Sequence, residues 1–144
     1  MTTVALFGAG GKMGVRLSHN LAKTDFTVRH VEVGEAGRKR LKDECGLDCV
    51  EPDVAIDGAD VVVLAVPDTA IGKVASGVIP KIAPGTMVVI LDAAAPFAGH
   101  LPERKDITYF VTHPCHPPIF NDETTEAGRK DYFGGVAAKQ GVVN

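Results

Sequence analysis

The sequence predicts an α/β fold, a doubly wound parallel sheet of about six strands in the order 3-2-1-4-5-6. Three observations carry that reading. Val4-Ala5-Leu6-Phe7 is an apolar strand that breaks at once into Gly8-Ala9-Gly10-Gly11-Lys12-Met13-Gly14. Val61-Val62-Val63-Leu64-Ala65-Val66 is apolar on both faces, as befits a central strand covered by helices on each side. Strand-like and helix-like stretches then alternate along the chain, the pattern of repeated β-α-β units.

Each element has a local reason. A helix over Lys12–Lys23 follows from Met13, Leu17 and Leu21, which share one face at four-residue spacing. Phe26–Val33 reads as the second strand, rich in β-branched residues. Glu35–Glu44 reads as a charged helix and Leu47–Val50 as a short third strand. Pro52-Asp53 opens a helix, with proline in its first turn. Thr69–Val78 is a helix that ends near Pro80, and Pro84-Gly85 makes a turn. Thr86–Leu91 is the fifth strand and Ile107–Val111 the sixth. Asp122–Tyr132 is a polar helix broken by Gly134-Gly135.

A chain of 144 residues reads as one domain, 1–144. That length suffices for a core but not for a cofactor domain plus a full substrate domain. The net charge of −3 gives no reason to expect nucleic acid. No stretch is long and apolar enough for a membrane span, and the first residues enter a strand with no basic-then-apolar leader. Three cysteines, Cys45, Cys49 and Cys115, do not make a disulfide framework. A cytoplasmic protein is expected.

The strand–glycine–helix junction is a phosphate-binding device. Glycines let the chain turn tightly and let a pyrophosphate approach the backbone. The first amides of the helix have no partner within it, and its dipole favours an anion there. The spacing is G-x-x-G-x-x-G at Gly8, Gly11 and Gly14, with Gly10 extra, because Met13 stands where a strict G-x-G-x-x-G needs glycine. The context, strand before and helix after, distinguishes it from a flexible glycine loop. Gly14 lies one turn into the helix, where close packing on the strand needs a missing side chain. The expected ligand is a dinucleotide, crossing the sheet at the ends of strands 1 and 4, beside Gly8–Gly14 and Pro67-Asp68.

A ribose-binding acid is expected roughly 20 residues beyond the turn. Glu32 stands there, with Glu35 as a second candidate. A carboxylate at that point accepts both ribose hydroxyls and repels a 2′-phosphate, so NAD is favoured over NADP. Against this, Arg38, Lys39 and Arg40 could bind a 2′-phosphate, or could form a solvated helix face.

His113-Pro114-Cys115-His116-Pro117-Pro118 is a proline-stiffened loop after the last strand. Four readings compete for it. His113 and His116 could ligate a divalent metal. They could do acid–base work on a substrate hydroxyl. Cys115 could be a histidine-activated thiolate. Or the loop is a structural turn. Cys45 and Cys49 read better as small apolar side chains than as a metal pair.

Gly8–Gly14 and Leu64-Ala65-Val66-Pro67-Asp68 resemble the cofactor domain of the 6-phosphogluconate and 3-hydroxyacid dehydrogenase superfamily, a Rossmann fold. A narrower resemblance rests on Val28-Arg29-His30-Val31-Glu32-Val33, on Leu91-Asp92-Ala93-Ala94-Ala95-Pro96-Phe97-Ala98-Gly99-His100, and on His113 to Glu123. These are similar to the first domain of the D-apionate oxidoisomerase family, over nearly the whole chain. The resemblance implies an NAD-dependent oxidoreductase of sugar-acid catabolism. Such an enzyme oxidises a hydroxyl of D-apionate and rearranges its skeleton to 3-oxo-isoapionate, a pairing similar to that of ketol-acid reductoisomerases, where a divalent metal polarises the hydroxy-ketone oxygens. It implies backbone contacts from Gly11, Lys12 and Met13 to the pyrophosphate, Glu32 on the ribose, and Asp68 near the nicotinamide. His113 is then the first metal or substrate ligand and His116 the second. It further implies a helical C-terminal domain that completes the substrate site and a homodimer interface. The chain stops at Asn144, so the expectation is dinucleotide binding without family-like turnover by the chain alone. Two rivals remain: a non-catalytic dinucleotide module or sensor, and an acyl-transfer enzyme using Cys115.

Overall fold

In the computed structural model, which describes residues 1–113 and 125–129, β1 (Thr3–Phe7) lies between β2 (Thr27–Val31) and β3 (Val61–Leu64). Beyond β3 come β4 (Met87–Ile90) and β5 (Thr108–Val111), giving the order β2-β1-β3-β4-β5. Every pairing is parallel. The doubly wound sheet of the sequence reading is therefore present, with one strand reduced. The segment expected as strand 3, Leu47–Val50, makes a single parallel bridge, His30 to Cys49. The Val50 amide adds a bond to the His30 carbonyl at 2.8 Å. That puts the segment outside β2, where the order 3-2-1 requires it. It cannot lengthen, because Gly46 at φ +70° ends one helix and Pro52 begins the next.

Residues Met1–Val111 form one compact unit. Its sheet alternates side chains between two cores, as a period of two demands. On one face Ala5, Phe7, Val62, Leu64, Val88 and Ile90 pack with α3 (Pro52–Ile56) and α4 (Asp68–Val78). On the other Val4, Leu6 and Val63 pack with α1 (Lys12–Leu21) and α2 (Glu35–Cys45) through Val15 and Leu41. The all-apolar β3 is buried on both sides for this reason.

The face of α1 departs from its expected apolar stripe. Gly14, Val15 and Ser18 are the buried residues, while Leu17 and Leu21 flank the contact. The helix lies so near the sheet that only small side chains fit between them. Buried Ser18 is satisfied by donating to the Gly14 carbonyl at 2.9 Å.

Two arginines complete helix and turn ends. Arg29 Nη1 donates to the carbonyls of Val54, Ala55 and Asp57, the unpaired end of α3. Arg104 Nη1 donates to the carbonyls of Ile79 and Ile82, each at 2.8 Å, around the 3-10 turn after α4. One helix was unexpected: α5 (Ala94–Phe97), begun where Asp92 Oδ1 accepts the Ala94 amide at 2.7 Å.

The second unit runs Thr112–Asn144. Its described helix is α6 (Glu126–Arg129), where Thr125 Oγ1 accepts the Gly128 amide at 3.0 Å. That helix falls inside the expected Asp122–Tyr132. Gly134-Gly135 lies outside the described residues, as do Pro114 to Phe120.

Candidate dinucleotide site

The site is built at the C-terminal end of β1. Gly8 turns into the left-handed region, φ +75°, where an L side chain is strained. Its amide and that of Ala9 donate to the Val31 carbonyl of β2, at 3.0 and 3.1 Å. A Cβ on Gly8 would stand 2.4 Å from the Ala65 carbonyl oxygen. One on Gly14 would stand 2.1 Å from the Gly8 carbonyl oxygen. Gly11 caps α1 without any side-chain hydrogen bond, and no acidic residue occupies the first turn. The Gly11 amide closes the turn by donating to the Gly8 carbonyl at 3.0 Å. The positive end of α1 thus faces outward beside a backbone stripped of side chains.

Glu32, just past β2, reaches back over this turn. Its Oε2 accepts the Gly10 amide at 3.1 Å and its Oε1 accepts the Gly34 amide at 2.9 Å. Each oxygen keeps one lone pair for another donor. Glu35, next after Gly34, opens α2 and is exposed.

The basic run divides. Arg38 Nε donates to the Glu32 carbonyl and Arg40 Nη1 to the Gly10 carbonyl, both at 2.6 Å. Lys39 pairs with Asp43 on the outer surface. All three residues are exposed, as a solvated face requires, and Arg38 and Arg40 in addition hold the backbone at either end of the Glu32–Gly10 contact.

Asp68 begins α4 after Pro67, at the end of β3. It borders an open groove of about 670 Å³ between α4 and α5, shared with Thr69, Gly72, Ala94 and His100. His113 is exposed and belongs to the second unit. His116 and Cys115 lie outside the described residues. Among the described residues, no group of three or more His, Cys, Asp or Glu side chains is placed to hold a metal ion. Cys45 and Cys49 are free thiols packed against the smaller core, and burial pushes both pKa values up. His30, on β2, is buried, and its Nε2 has no hydrogen-bond partner among the described residues. Burial lowers its pKa.

Gly37, where an added Cβ would stand 2.7 Å from Cγ and Cδ of Glu32, is the residue beside the turn that sequence reasoning missed. It carried a signal: a glycine inside a helix usually has a packing reason. Arg38 and Arg40 were weighed as 2′-phosphate ligands or a solvated face, and spacing gave no sign of the carbonyls they bond.

A family model for the NAD binding domain of 6-phosphogluconate dehydrogenase matches residues 3–97. The chain belongs to this family. Within it, the chain is 67% identical over 141 residues to D-apionate oxidoisomerase of Cupriavidus necator, covering 98% of this chain and 51% of that one. The enzyme of the same name from Pectobacterium atrosepticum is 39% identical over 142 residues, covering 99% and 50%. The chain thus spans about half the length of the curated relatives it matches. A crystal structure of a Cupriavidus necator protein, described as a semialdehyde dehydrogenase NAD-binding protein in complex with calcium and NAD, superposes with a TM-score of 0.84. It is 67% identical and the match covers 97% of this chain and 51% of that one. An NADH-preferring ketol-acid reductoisomerase from an uncultured archaeon shares the fold, at 18% identity and a TM-score of 0.65 over 78% of this chain and 36% of that one. The resemblance read from the glycine turn and the Leu64–Asp68 segment is thereby upheld. Among the described residues, no helix is long and apolar enough to cross a membrane.

Proposed function

We propose that residues 1–144 are the dinucleotide-binding half of an NAD-dependent oxidoreductase that acts on a CH–OH group of a sugar acid. In the manner of its relatives, the substrate would be D-apionate and the product 3-oxo-isoapionate. One observation carries the reading. A side-chain-free turn opens into an uncapped helix, and a carboxylate lies across that turn with acceptor capacity to spare.

These residues fit a dinucleotide, since glycines at 8 and 14 let the turn and α1 close on the strand ends, and the head of α1 carries no side-chain cap. Lys12 and Met13 bind the pyrophosphate through backbone amides at the head of α1. Gly11 adds room for its approach, its own amide being turned to the Gly8 carbonyl. Glu32 takes the adenosine ribose hydroxyls on its free lone pairs and repels a 2′-phosphate. Bound NAD supplies the hydride acceptor. Asp68, at the mouth of the α4–α5 groove, borders the nicotinamide half. His113, with His116, serves the substrate side, holding or moving a hydroxyl proton. A divalent metal would be held by His113 with His116, of which His113 alone lies among the described residues. The protein is proposed to be cytoplasmic and to pair as a homodimer when the helical half of its relatives is present.

Calorimetric titration of NAD and NADP tests this on the wild type and Glu32→Ala. Hydrogen bonds to a charged group contribute about 1.5–3 kcal/mol. NAD should therefore weaken about 10-fold to 150-fold, with NADP changed far less. Equal weakening of both would remove Glu32 from the ribose. NADH formed from D-apionate by this chain supports the enzyme reading. Saturable NAD binding without NADH formation, even with added divalent metal and a partner chain that supplies the other half, favours a binding module, the second reading.

A further inference from the structure

Gly37 sits in the first turn of α2, against both the Glu32 side chain and Gly10 of the glycine turn. A Cβ there would stand 2.7 Å from both Cγ and Cδ of Glu32 and 2.9 Å from Oε2. The opposite surface of Gly37 is also occupied. A Cβ on Gly10 would stand 2.2 Å from the Gly37 carbonyl oxygen and 2.6 Å from its Cα. The two glycines therefore close on each other, and the Glu32 side chain lies in the slot beside them.

We infer that Gly37 is a specificity-determining residue for the dinucleotide: its bare Cα leaves the space in which Glu32 is held against the Gly10 and Gly34 amides. The inference rests on the reading of Glu32 as the ribose acid and adds what fixes that acid in place. The two clashes differ in kind. A side chain on Gly10 meets backbone, which cannot yield without moving α2. A methyl on Gly37 meets the movable end of a side chain, which can swing away. Gly37→Ala should thus displace the carboxylate while keeping both its charge and the fold. The helical position favours this, because alanine is the better helix former. Once displaced, the carboxylate no longer aims its lone pairs at a ribose. It also no longer stands where a 2′-phosphate would be repelled.

A purely structural glycine makes a different prediction. Its replacement would loosen the turn and weaken both cofactors alike. The experiment compares Gly37→Ala, with Gly37→Ser as a second variant at the same Cβ, against wild type and Glu32→Ala. Amide hydrogen exchange at Gly10 and Gly34 is measured without cofactor, and NAD and NADP binding by calorimetry. The expected result is faster exchange at both amides, NAD weakened about tenfold or more, as loss of one charge-assisted bond implies, and NADP changed less than about threefold. Unchanged NAD binding, or equal weakening of NAD and NADP, in a Gly37 variant overturns the role given to Gly37. If Glu32→Ala itself fails to separate the two cofactors, the ribose assignment of Glu32 falls instead.

Discussion

Two glycine-to-alanine changes, both inside helices, should move stability in opposite directions. Alanine is favoured over glycine in a helix by about 1 kcal/mol. At Gly77, in the last turn of α4, nothing lies within 4 Å of an added Cβ. Gly77→Ala should therefore gain up to about 1 kcal/mol. At Gly14 the same methyl would stand 2.1 Å from the Gly8 carbonyl oxygen and 2.7 Å from the carbonyl carbon and Cα of Ala9. Those atoms are backbone of the turn itself, so relief requires α1 to move off the sheet. Overpacking of this kind costs about 1–3 kcal/mol and more where only backbone can yield. Subtracting the propensity gain leaves a net loss of up to about 2 kcal/mol, and more where only backbone can yield. Urea unfolding of the cofactor-free protein reads both changes. With a slope of about 2 kcal/mol per molar, a loss of about 2 kcal/mol lowers the midpoint for Gly14→Ala by about 1 M, while that for Gly77→Ala rises. A Gly14→Ala protein unfolding at or above the wild-type midpoint would refute the claim that α1 and the turn are in van der Waals contact at this glycine.

Other outcomes follow from the same geometry. Burial lowers the His30 pKa below its ordinary 6.5, so beneath that pH the unfolded chain takes up a proton that the native protein refuses. His30's part in stability is thus complete above about pH 6.5 and declines as pH falls through it, by up to about 1.4 kcal/mol per pH unit. His30→Leu should flatten that part of the stability–pH curve, and an unchanged slope between about pH 5 and 6.5 would contradict it. Lys39→Ala should cost under about 0.5 kcal/mol, since its pairing with Asp43 is a solvent-exposed i,i+4 contact. A larger loss in thermal unfolding would mean that Lys39 holds something besides Asp43.

What the sequence disclosed and what it withheld divide along a physical line. β1 and β3 were legible because they are buried on both faces, and β4 from its apolar run, although Met87 is exposed and Val89 half-buried. The helix after β3 was legible from its proline and its apolar spacing. Leu47–Val50 was legible as extended chain but not as a mere bridge. Its shortness is set by the cap at Gly46 and by Pro52 together, not by its own residues. α5 was illegible because four residues around a proline carry no periodicity. Its start depends on one Asp92 hydrogen bond. At the site, Gly8 and Gly14 could be placed from spacing alone. Gly37 could not, because its reason is a side chain five positions earlier that folds back across the strand end.

The arginines show why residue spacing left cofactor choice open. An acid at the end of β2 and a basic run six residues later are equally visible in one dimension, and each argues for a different cofactor. In three dimensions they do not compete. Arg38 bonds the carbonyl of Glu32 itself, and Arg40 bonds the carbonyl of Gly10, whose amide Glu32 accepts. Each guanidinium thus holds one of the two residues that the carboxylate joins, and Arg38 Nη2 also lies 3.9 Å from Glu51 Oε1. A guanidinium donating to the Gly10 carbonyl also polarises the peptide that links it to Gly11. The Gly11 amide in that peptide donates to Gly8, so the bond that closes the turn is strengthened. The basic run therefore reinforces the turn on which the acid rests. On the proposed reading of Glu32 as the ribose acid, selection of NAD over NADP depends on keeping this small assembly closed, and each of its parts can be opened separately by substitution.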